Sequence, residues 1–459
     1  MKRRQLLAMT AAFPTLGRAA GKRAAFQDPA HSQPARAMPD QDKRTAWYRQ
    51  AKFGMFIHWG PYSLASVEAS WPIMRPSKEF PITEQKYRSL PQEFNPSRFD
   101  ANALVELAKS TGQRYMVFTT KHHDGFCMFD SAYTDYKITN TPYKQDIVAQ
   151  LAAACHRANM PIGFYYSPPD MNHPSFRDTS EPASKNWNGE PTREVWPLYL
   201  SYMEMQLREL LTRYGDVALI WFDGLYNQRK FDGYRMHRTI LEMQPQALIN
   251  NRIGIPGDFE TPEQFLPASI PIKGRRLDSD HRDAGSKPGY VPSPEEFRLW
   301  ETCMTINHTW AYNKNDRDFK SATQLIRTLV EVASRGGNFL LNVAPGPDGT
   351  IQSGFIERLN VIGKWMDRNG ESIYGTTYGP IQGLASVRTT AKDDEVFVHV
   401  FDWPGVRLKV AASGLPPFHS ASLLASGQPL RFRQTDRILT IELPAQAPDA
   451  DATVIKLVQ

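Results

Sequence analysis

The chain has 459 residues, 41% hydrophobic, 11% aromatic and 22% charged, a length that allows two or three domains of about 100 to 200 residues or one large α/β barrel with a smaller companion. This balance excludes a disordered or charge-dominated polymer, and the one apolar run near the start, Leu6 to Leu16, is short of the about 20 residues that cross a bilayer, so no membrane insertion is expected. The net charge of +6 does not point to nucleic acid, because residues 1–36 hold seven basic residues against the single acid Asp28, and the rest of the chain is neutral.

The opening Met1-Lys2-Arg3-Arg4, the apolar stretch to Phe13 and the small residues near Ala19 and Ala20 predict an export signal over residues 1–22. The paired Arg3-Arg4 suggests the twin-arginine route to a bacterial periplasm, or secretion. Residues 23–45 are polar, proline-bearing and aperiodic, which predicts a flexible spacer. Cys127, Cys155 and Cys303 are odd in number and widely spaced, giving neither a disulfide framework nor a zinc motif.

From residue 46 to 378, short β-rich runs alternate with amphipathic stretches. The runs are Phe53 to Trp59, Tyr115 to Lys121, Ile162 to Ser167, Val217 to Asp223, Leu248 to Arg252, Leu299 to Thr305 and Asn338 to Val343. Between or after them lie helical patterns at Ala101 to Lys109, Asp146 to Ala158, Leu198 to Arg213, Lys320 to Ala333 and Gly354 to Arg368, several closed by glycine. Strands buried on both faces and joined by helices form a parallel sheet, and their number predicts a (β/α)8-like (TIM) barrel, regular or distorted. Residues 379–459 switch to short alternating strands such as Glu395 to Val400 and Ile438 to Leu443, which predict a C-terminal all-β sandwich.

Catalytic side chains of such barrels stand at the carboxyl ends of the strands. Here those ends read His58-Trp59-Gly60, Lys121-His122-His123-Asp124, Tyr165-Tyr166-Ser167 and Trp221-Phe222-Asp223-Gly224. Histidines and carboxylates hydrogen-bond sugar hydroxyls while tryptophan covers C–H faces, so this rim is suited to a carbohydrate. Asp223, after five apolar residues, reads either as a functional carboxylate or as an Asp-Gly turn. Retaining hydrolysis of a glycoside needs a second carboxyl about 5 to 5.5 Å away. Glu263, on an expected mobile loop after the fifth strand, and Glu301, at the sixth, compete for that place. Adjacent residues on a strand point to opposite faces, so His122 and His123 are not expected to chelate one ion. Neither metal nor cofactor is expected.

Phe53-Gly54-Met55-Phe56-Ile57-His58-Trp59-Gly60, Lys121 to Phe126, Gly163 to Ser167, Trp221 to Gly224 and Gly337 to Pro345, in this order, resemble the α-L-fucosidases of glycoside hydrolase family 29. The resemblance implies a retaining exo-hydrolase of terminal α-L-fucose acting through a covalent intermediate, with a fucosylated glycan as partner. It implies Asp223 as nucleophile, Glu263 as acid/base with Glu301 as the rival, and His58, His122, His123, Tyr165, Trp221, Arg252 and Trp71 around the sugar. One departure is Ser70, where some members carry a glutamate directly before the tryptophan; Glu68 lies two residues earlier. Two other readings stay open: a hydrolase of the same fold acting on a galactoside, and a non-catalytic carbohydrate-binding protein. Oligomeric state and fucosyl linkage are not legible.

Overall fold

The computed structural model describes residues 41–78, 80, 82–189, 194–224, 228–273, 292–381 and 385–459, with backbone only at 228 and 229. The expected signal, and the spacer up to residue 40, lie outside the described residues.

All seven β-rich runs form strands: β1 Phe53–Ile57, β2 Met116–Lys121, β3 Ile162–Tyr166, β4 Leu219–Phe222, β5 Leu248–Ile249, β6 Glu301–Thr305 and β7 Asn338–Val343. They pair in parallel in the order β5-β4-β3-β2-β1-β7-β6, and every residue in them is buried. This double burial is why β1, β3, β4 and β5 read as apolar runs rather than alternating ones, while β2, β6 and β7 bury polar residues such as Thr119, Lys121, Glu301 and Asn342.

Between the two edge strands runs the segment Asp258 to Gln264. It touches both sides through isolated parallel bridges, Asn250 with Phe259, Glu260 with Trp300 and Glu263 with Cys303. The segment therefore stands at the eighth place of the barrel wall without forming a regular strand. It is not the solvated mobile loop expected from the sequence: Phe259, Glu260 and Thr261 are buried.

The helices Ala101–Ser110, Ile147–Arg157, Trp196–Arg213, Ala322–Ala333 and Ser353–Asn369 match the amphipathic stretches. Asp100, Asp146 and Ser321 cap three of them by accepting backbone N–H groups. Besides three short helices at Trp71–Met74, Glu84–Ser89 and Ala183–Asn186, two longer ones lie outside the expected stretches. Gly233–Met243 is amphipathic and buries Met236, His237, Thr239 and Ile240. The helix α1, Gln41–Ala51, begins inside the expected spacer. Arg44 explains why it is ordered: buried, it pairs with Asp258 and donates to Ala247 O at 2.7 Å, a partnership across more than 200 residues. Asp258 also accepts the Ile249 amide at 2.9 Å, so α1, β5 and the start of the irregular segment are tied at one point.

The C-terminal strands β8 Thr377–Tyr378, β9 Val387–Lys392, β10 Glu395–Val400, β11 Arg407–Ala411, β12 Ser420–Leu423, β13 Phe432–Gln434, β14 Ile438–Glu442 and β15 Thr453–Val458 form two antiparallel sheets, β12-β15-β10-β9-β8 and β11-β14-β13. Their inner faces share a core that includes Val398, Val410, Leu439, Ile441 and Ile455. The β-domain is bound to the barrel by Trp365 Nε1 donating to Ala452 O at 3.0 Å and Arg327 Nε to Asp451 O at 3.0 Å, and residues 39–459 form one compact unit.

Breaking one side of a buried ion pair leaves a charge without compensation, at a cost of about 3 to 5 kcal/mol. Arg44→Ala should therefore lower the unfolding free energy by an amount of that order, read as a lower urea midpoint at unchanged m. An unchanged midpoint would show that the pair does not support the wall at β5.

Candidate active site

Asp223 follows the last residue of β4, and its amide still donates to Tyr166 O at 3.2 Å. The Asp-Gly turn expected from the sequence is present. Gly224 turns the chain at φ 102°, where a Cβ would meet Pro169 Cδ at 2.5 Å, and the turn leaves the Asp223 carboxyl partly open, its side chain 18% exposed. One carboxyl oxygen accepts Tyr165 OH at 2.8 Å and the other Arg252 Nη1 at 2.8 Å. Burial pushes the carboxyl up, but the charge of Arg252, aided by the Tyr165 hydroxyl, prevails and holds it below its ordinary range.

The same Nη1 atom donates to Glu263 Oε2 at 2.9 Å. Two contacts of 2.8 and 2.9 Å to one nitrogen cap the separation of those carboxylate oxygens at their sum, 5.7 Å. The rest of the Arg252 guanidinium is fixed from the irregular wall segment, Nε to Thr261 Oγ1 at 2.8 Å and Nη2 to Thr261 O at 2.9 Å, and it lies 4.6 Å over the Trp221 ring. Glu263 has a side chain 38% exposed, so it opens to the mouth.

Glu301 lies elsewhere in function. Its side chain is fully buried, and its carboxyl accepts Tyr48 OH at 2.7 Å, Trp221 Nε1 at 2.9 Å and the hydroxyl of Tyr115. With its oxygens taken by donors from beneath the rim, it is a strut under Trp221. Trp221 in turn stacks on Tyr165 with centroids 5.7 Å apart and planes 16° from parallel.

The histidines converge although two are adjacent. β2 ends at Lys121, with a register irregularity between Thr119 and Lys121, so strand alternation no longer applies to His122 and His123. Their centroids are 4.2 Å apart, and His122 is 5.9 Å from His58. A ring nitrogen of each of His122 and His123 and a carboxylate oxygen of Asp223 lie within 4.8 Å of one another, which corrects the argument that the pair could not face one ion. His123 Nε2 stands 3.6 Å from Asp223 Oδ2. Their Nδ1 atoms are engaged behind the cavity: His58 with Asn342 Oδ1 at 2.7 Å, His122 with Ser70 Oγ at 2.6 Å and His123 with Ser167 Oγ at 2.6 Å. Burial lowers the pKa of all three, His58 to about 4, so they are neutral at physiological pH.

Trp310, on the loop after β6, was not singled out from the sequence. Its ring lies 4.9 Å from His58 and 6.0 Å from Phe56, which is 5.1 Å from Trp221, giving the polar set an apolar wall. The Trp310 and Ala311 amides donate to Glu68 at 3.0 Å; burial raises that carboxyl to about 7, against the pull of these amides. Nothing in the loop's own composition distinguishes Trp310. Trp71 is half-buried, with Arg75 5.4 Å over its ring. Trp59 is buried against Phe94 and Phe99 and donates to Gly346 O at 3.0 Å, so its role is packing.

A sequence profile described as alpha-L-fucosidase matches residues 20–371. The plasma alpha-L-fucosidase of Homo sapiens is 30% identical over 94% of this chain and 94% of its own length. Among solved structures, alpha-L-fucosidase isoenzyme 1 of Paenibacillus thiaminolyticus has a TM-score of 0.79 and 35% identity, covering 91% of this chain and 99% of that one. A family 29 alpha-L-fucosidase of Bacteroides thetaiotaomicron, trapped as a covalent intermediate, has a TM-score of 0.78 and 27% identity, covering 94% and 99%. The Thermotoga maritima alpha-fucosidase in complex with fucose has a TM-score of 0.73 and 28% identity, covering 90% and 96%.

Burial pushes Glu301 up to about 7, against the hydrogen bonds from Tyr115, Tyr48 and Trp221. A carboxyl raised in the fold favours the protonated native state, so its contribution is full below the ordinary carboxyl range and is lost as pH climbs through about 7. Glu301→Gln cannot titrate. The melting temperature of the unaltered protein should fall relative to that variant between about pH 5 and about pH 8. A difference that stays constant across that window would refute the assignment of a raised pKa to Glu301.

Proposed function

The chain belongs to the α-L-fucosidase family, glycoside hydrolase family 29, and from that premise we propose that Asp223 is its nucleophile and Glu263 its acid/base. The protein hydrolyses terminal α-L-fucosyl linkages of fucosylated substrates with retention, through a covalent fucosyl-enzyme.

The observation that carries the assignment is the shared Arg252 nitrogen, which keeps the two acids within a distance that includes the about 5 to 5.5 Å of retaining enzymes. In the first step the Asp223 carboxylate attacks the anomeric carbon, the bond to the leaving oxygen breaks, and Glu263 gives that oxygen its proton. In the second, Glu263 takes a proton from water, the hydroxyl attacks the same carbon, and Asp223 leaves. The anionic state that Arg252 imposes on Asp223 suits the nucleophile. The partly open position of Glu263 suits a group that must meet both leaving oxygen and water. Glu301 is wholly buried and both its oxygens already accept hydrogen bonds from Tyr48, Tyr115 and Trp221, which speaks against it as the acid.

His58, His122, His123, Tyr165 and Arg252 would hold the sugar hydroxyls and ring oxygen side. Trp221, with Phe56 and Trp310, would line the apolar face, and Trp71 the rim. Residues 1–22 would direct export, with the twin-arginine pair as the address.

Asp223→Asn should lower kcat on an aryl α-L-fucoside by about 10³-fold or more while leaving the fold intact; near-normal turnover would refute the role. Glu263→Ala should regain activity with added azide on a substrate with a good leaving group, since the acid is then dispensable and the anion replaces water. Glu301→Ala should not. Azide rescue of Glu301→Ala alone would reverse the assignment.

A further inference from the structure

We propose that Ser70 is a positioning residue that fixes the tautomer of His122, so that the sugar meets one imidazole N–H donor flanked by two imidazole acceptors. The proposal deepens the fucosidase reading and rests on it for its consequence, though not for its structural premise.

The proton positions follow from counting donors and acceptors around each histidine. His58 Nδ1 faces Asn342 Oδ1, and the amide is oriented by Asn342 Nδ2 donating to Trp310 O at 2.8 Å. An amide carbonyl oxygen can only accept, so His58 carries its proton on Nδ1 and offers a lone pair on Nε2. His123 Nδ1 faces Ser167 Oγ, whose own hydrogen is already given to Pro169 O at 2.7 Å. His123 is again protonated on Nδ1, and its Nε2, toward Asp223, is an acceptor.

His122 differs because of Ser70. The Ser70 hydroxyl oxygen accepts the Asp124 amide at 2.8 Å. Among the described residues, the remaining partner for its hydrogen is His122 Nδ1 at 2.6 Å. The hydroxyl therefore donates, Nδ1 is bare, and the His122 proton sits on Nε2. A neutral imidazole so held is a donor. This also removes the lone pair that a metal ion would need from His122 to use the His122, His123 and Asp223 cluster.

Two further observations show that the serine is held for this purpose. Its surroundings form a closed buried circuit: Ser70 N–H donates to Tyr87 OH at 2.8 Å, Tyr87 OH to Asp124 Oδ2 at 2.8 Å, and Asp124 N–H back to Ser70 Oγ. Ser70 also stands at φ 61° and ψ −31°, in a three-residue turn closed by Trp71 N–H to Ala69 O at 2.6 Å. A conformation of this kind puts strain on a non-glycine residue. Glycine would relieve it, yet the chain keeps a side chain whose one distinguishing group is the hydroxyl on His122.

The test is two-bond nitrogen–proton correlation NMR on the full-length protein carrying isotope-labelled histidine, which reads the tautomer of each ring directly, with His122 identified by the signal missing in His122→Gln. The expected result is an Nε2–H form for His122 and Nδ1–H forms for His58 and His123. In Ser70→Gly, which relieves the turn while deleting the hydroxyl, His122 should pass to a mixture or to the Nδ1–H form. Its kcat/KM on an aryl α-L-fucoside should fall about 3- to 10-fold, the worth of one hydrogen bond. Ser70→Ala should change the tautomer in the same way. A wild-type His122 in the Nδ1–H form, or an Nε2–H form that survives in Ser70→Gly, overturns the proposal. If the fucosidase reading itself failed, the unaltered protein would be inactive with its histidine spectrum as expected, so the two failures are distinguishable.

Discussion

The site depends on one shared charge. Arg252 is almost wholly buried, and its Nη1 reaches both Asp223 and Glu263. Two carboxylates this close would repel one another in a partly desolvated cavity without a cation between them. The planar fork of arginine is what makes the arrangement possible: one nitrogen serves the acids while the others are consumed by Thr261. A lysine has no second edge to be held by. The sharing also links the acids in time. When Glu263 carries its proton it gives up its half of the ion pair, and the whole attraction of Arg252 then falls on Asp223, which is the state the proposed nucleophile needs while the proposed acid acts.

Beneath this pair the support is layered. Glu301 anchors the Trp221 indole, Trp221 lies under Arg252 and against Tyr165, and the Tyr165 hydroxyl returns to Asp223. A carboxyl that touches no substrate thereby sets the height of the floor on which the reacting carboxyl stands. The side wall is less regular: β5 is two residues long, and the eighth place is filled by a segment with isolated bridges instead of a ladder. That irregularity brings Thr261 and Glu263 inward, where a regular strand continuing β5 would have carried its alternate residues to opposite faces.

Much of the barrel was legible because strands buried on both sides favour apolar runs, and Ile162–Tyr166 or Leu219–Phe222 has no other reading between turn signals. The rim residues were legible for the converse reason: polar groups that end such runs are in the wrong place for a core. What depended on distant partners was not. Helix α1 looked like spacer because its buried residues include Arg44 and Thr45, whose burial makes sense only once Asp258 and the barrel wall are present. Glu263 looked like a loop acid because nothing local reveals that Cys303 and Arg252 bracket it. The two histidines seemed to point apart because the periodicity argument assumed a strand that in fact ends one residue earlier. Trp310 left no mark at all, since a lone tryptophan on a long loop gains its place only through His58 and Phe56.

The three histidines also bear on why one sugar is chosen over another. Burial keeps them uncharged, so what they present is direction, donor or acceptor, fixed before substrate arrives by Asn342, Ser70 and Ser167. Preset polar groups need no reorganisation when the sugar binds. They also penalise a sugar whose hydroxyls point elsewhere, because a buried donor or acceptor is then left unpaired. The apolar wall of Phe56, Trp221 and Trp310 discriminates far less, since a hydrophobic pocket rejects an added hydroxyl only weakly. On the proposed assignment the histidines would read the stereochemistry of the ring hydroxyls, and the choice between a fucoside and a galactoside of the same ring configuration would fall to how closely Phe56, Trp221 and Trp310 exclude the oxygen that fucose lacks.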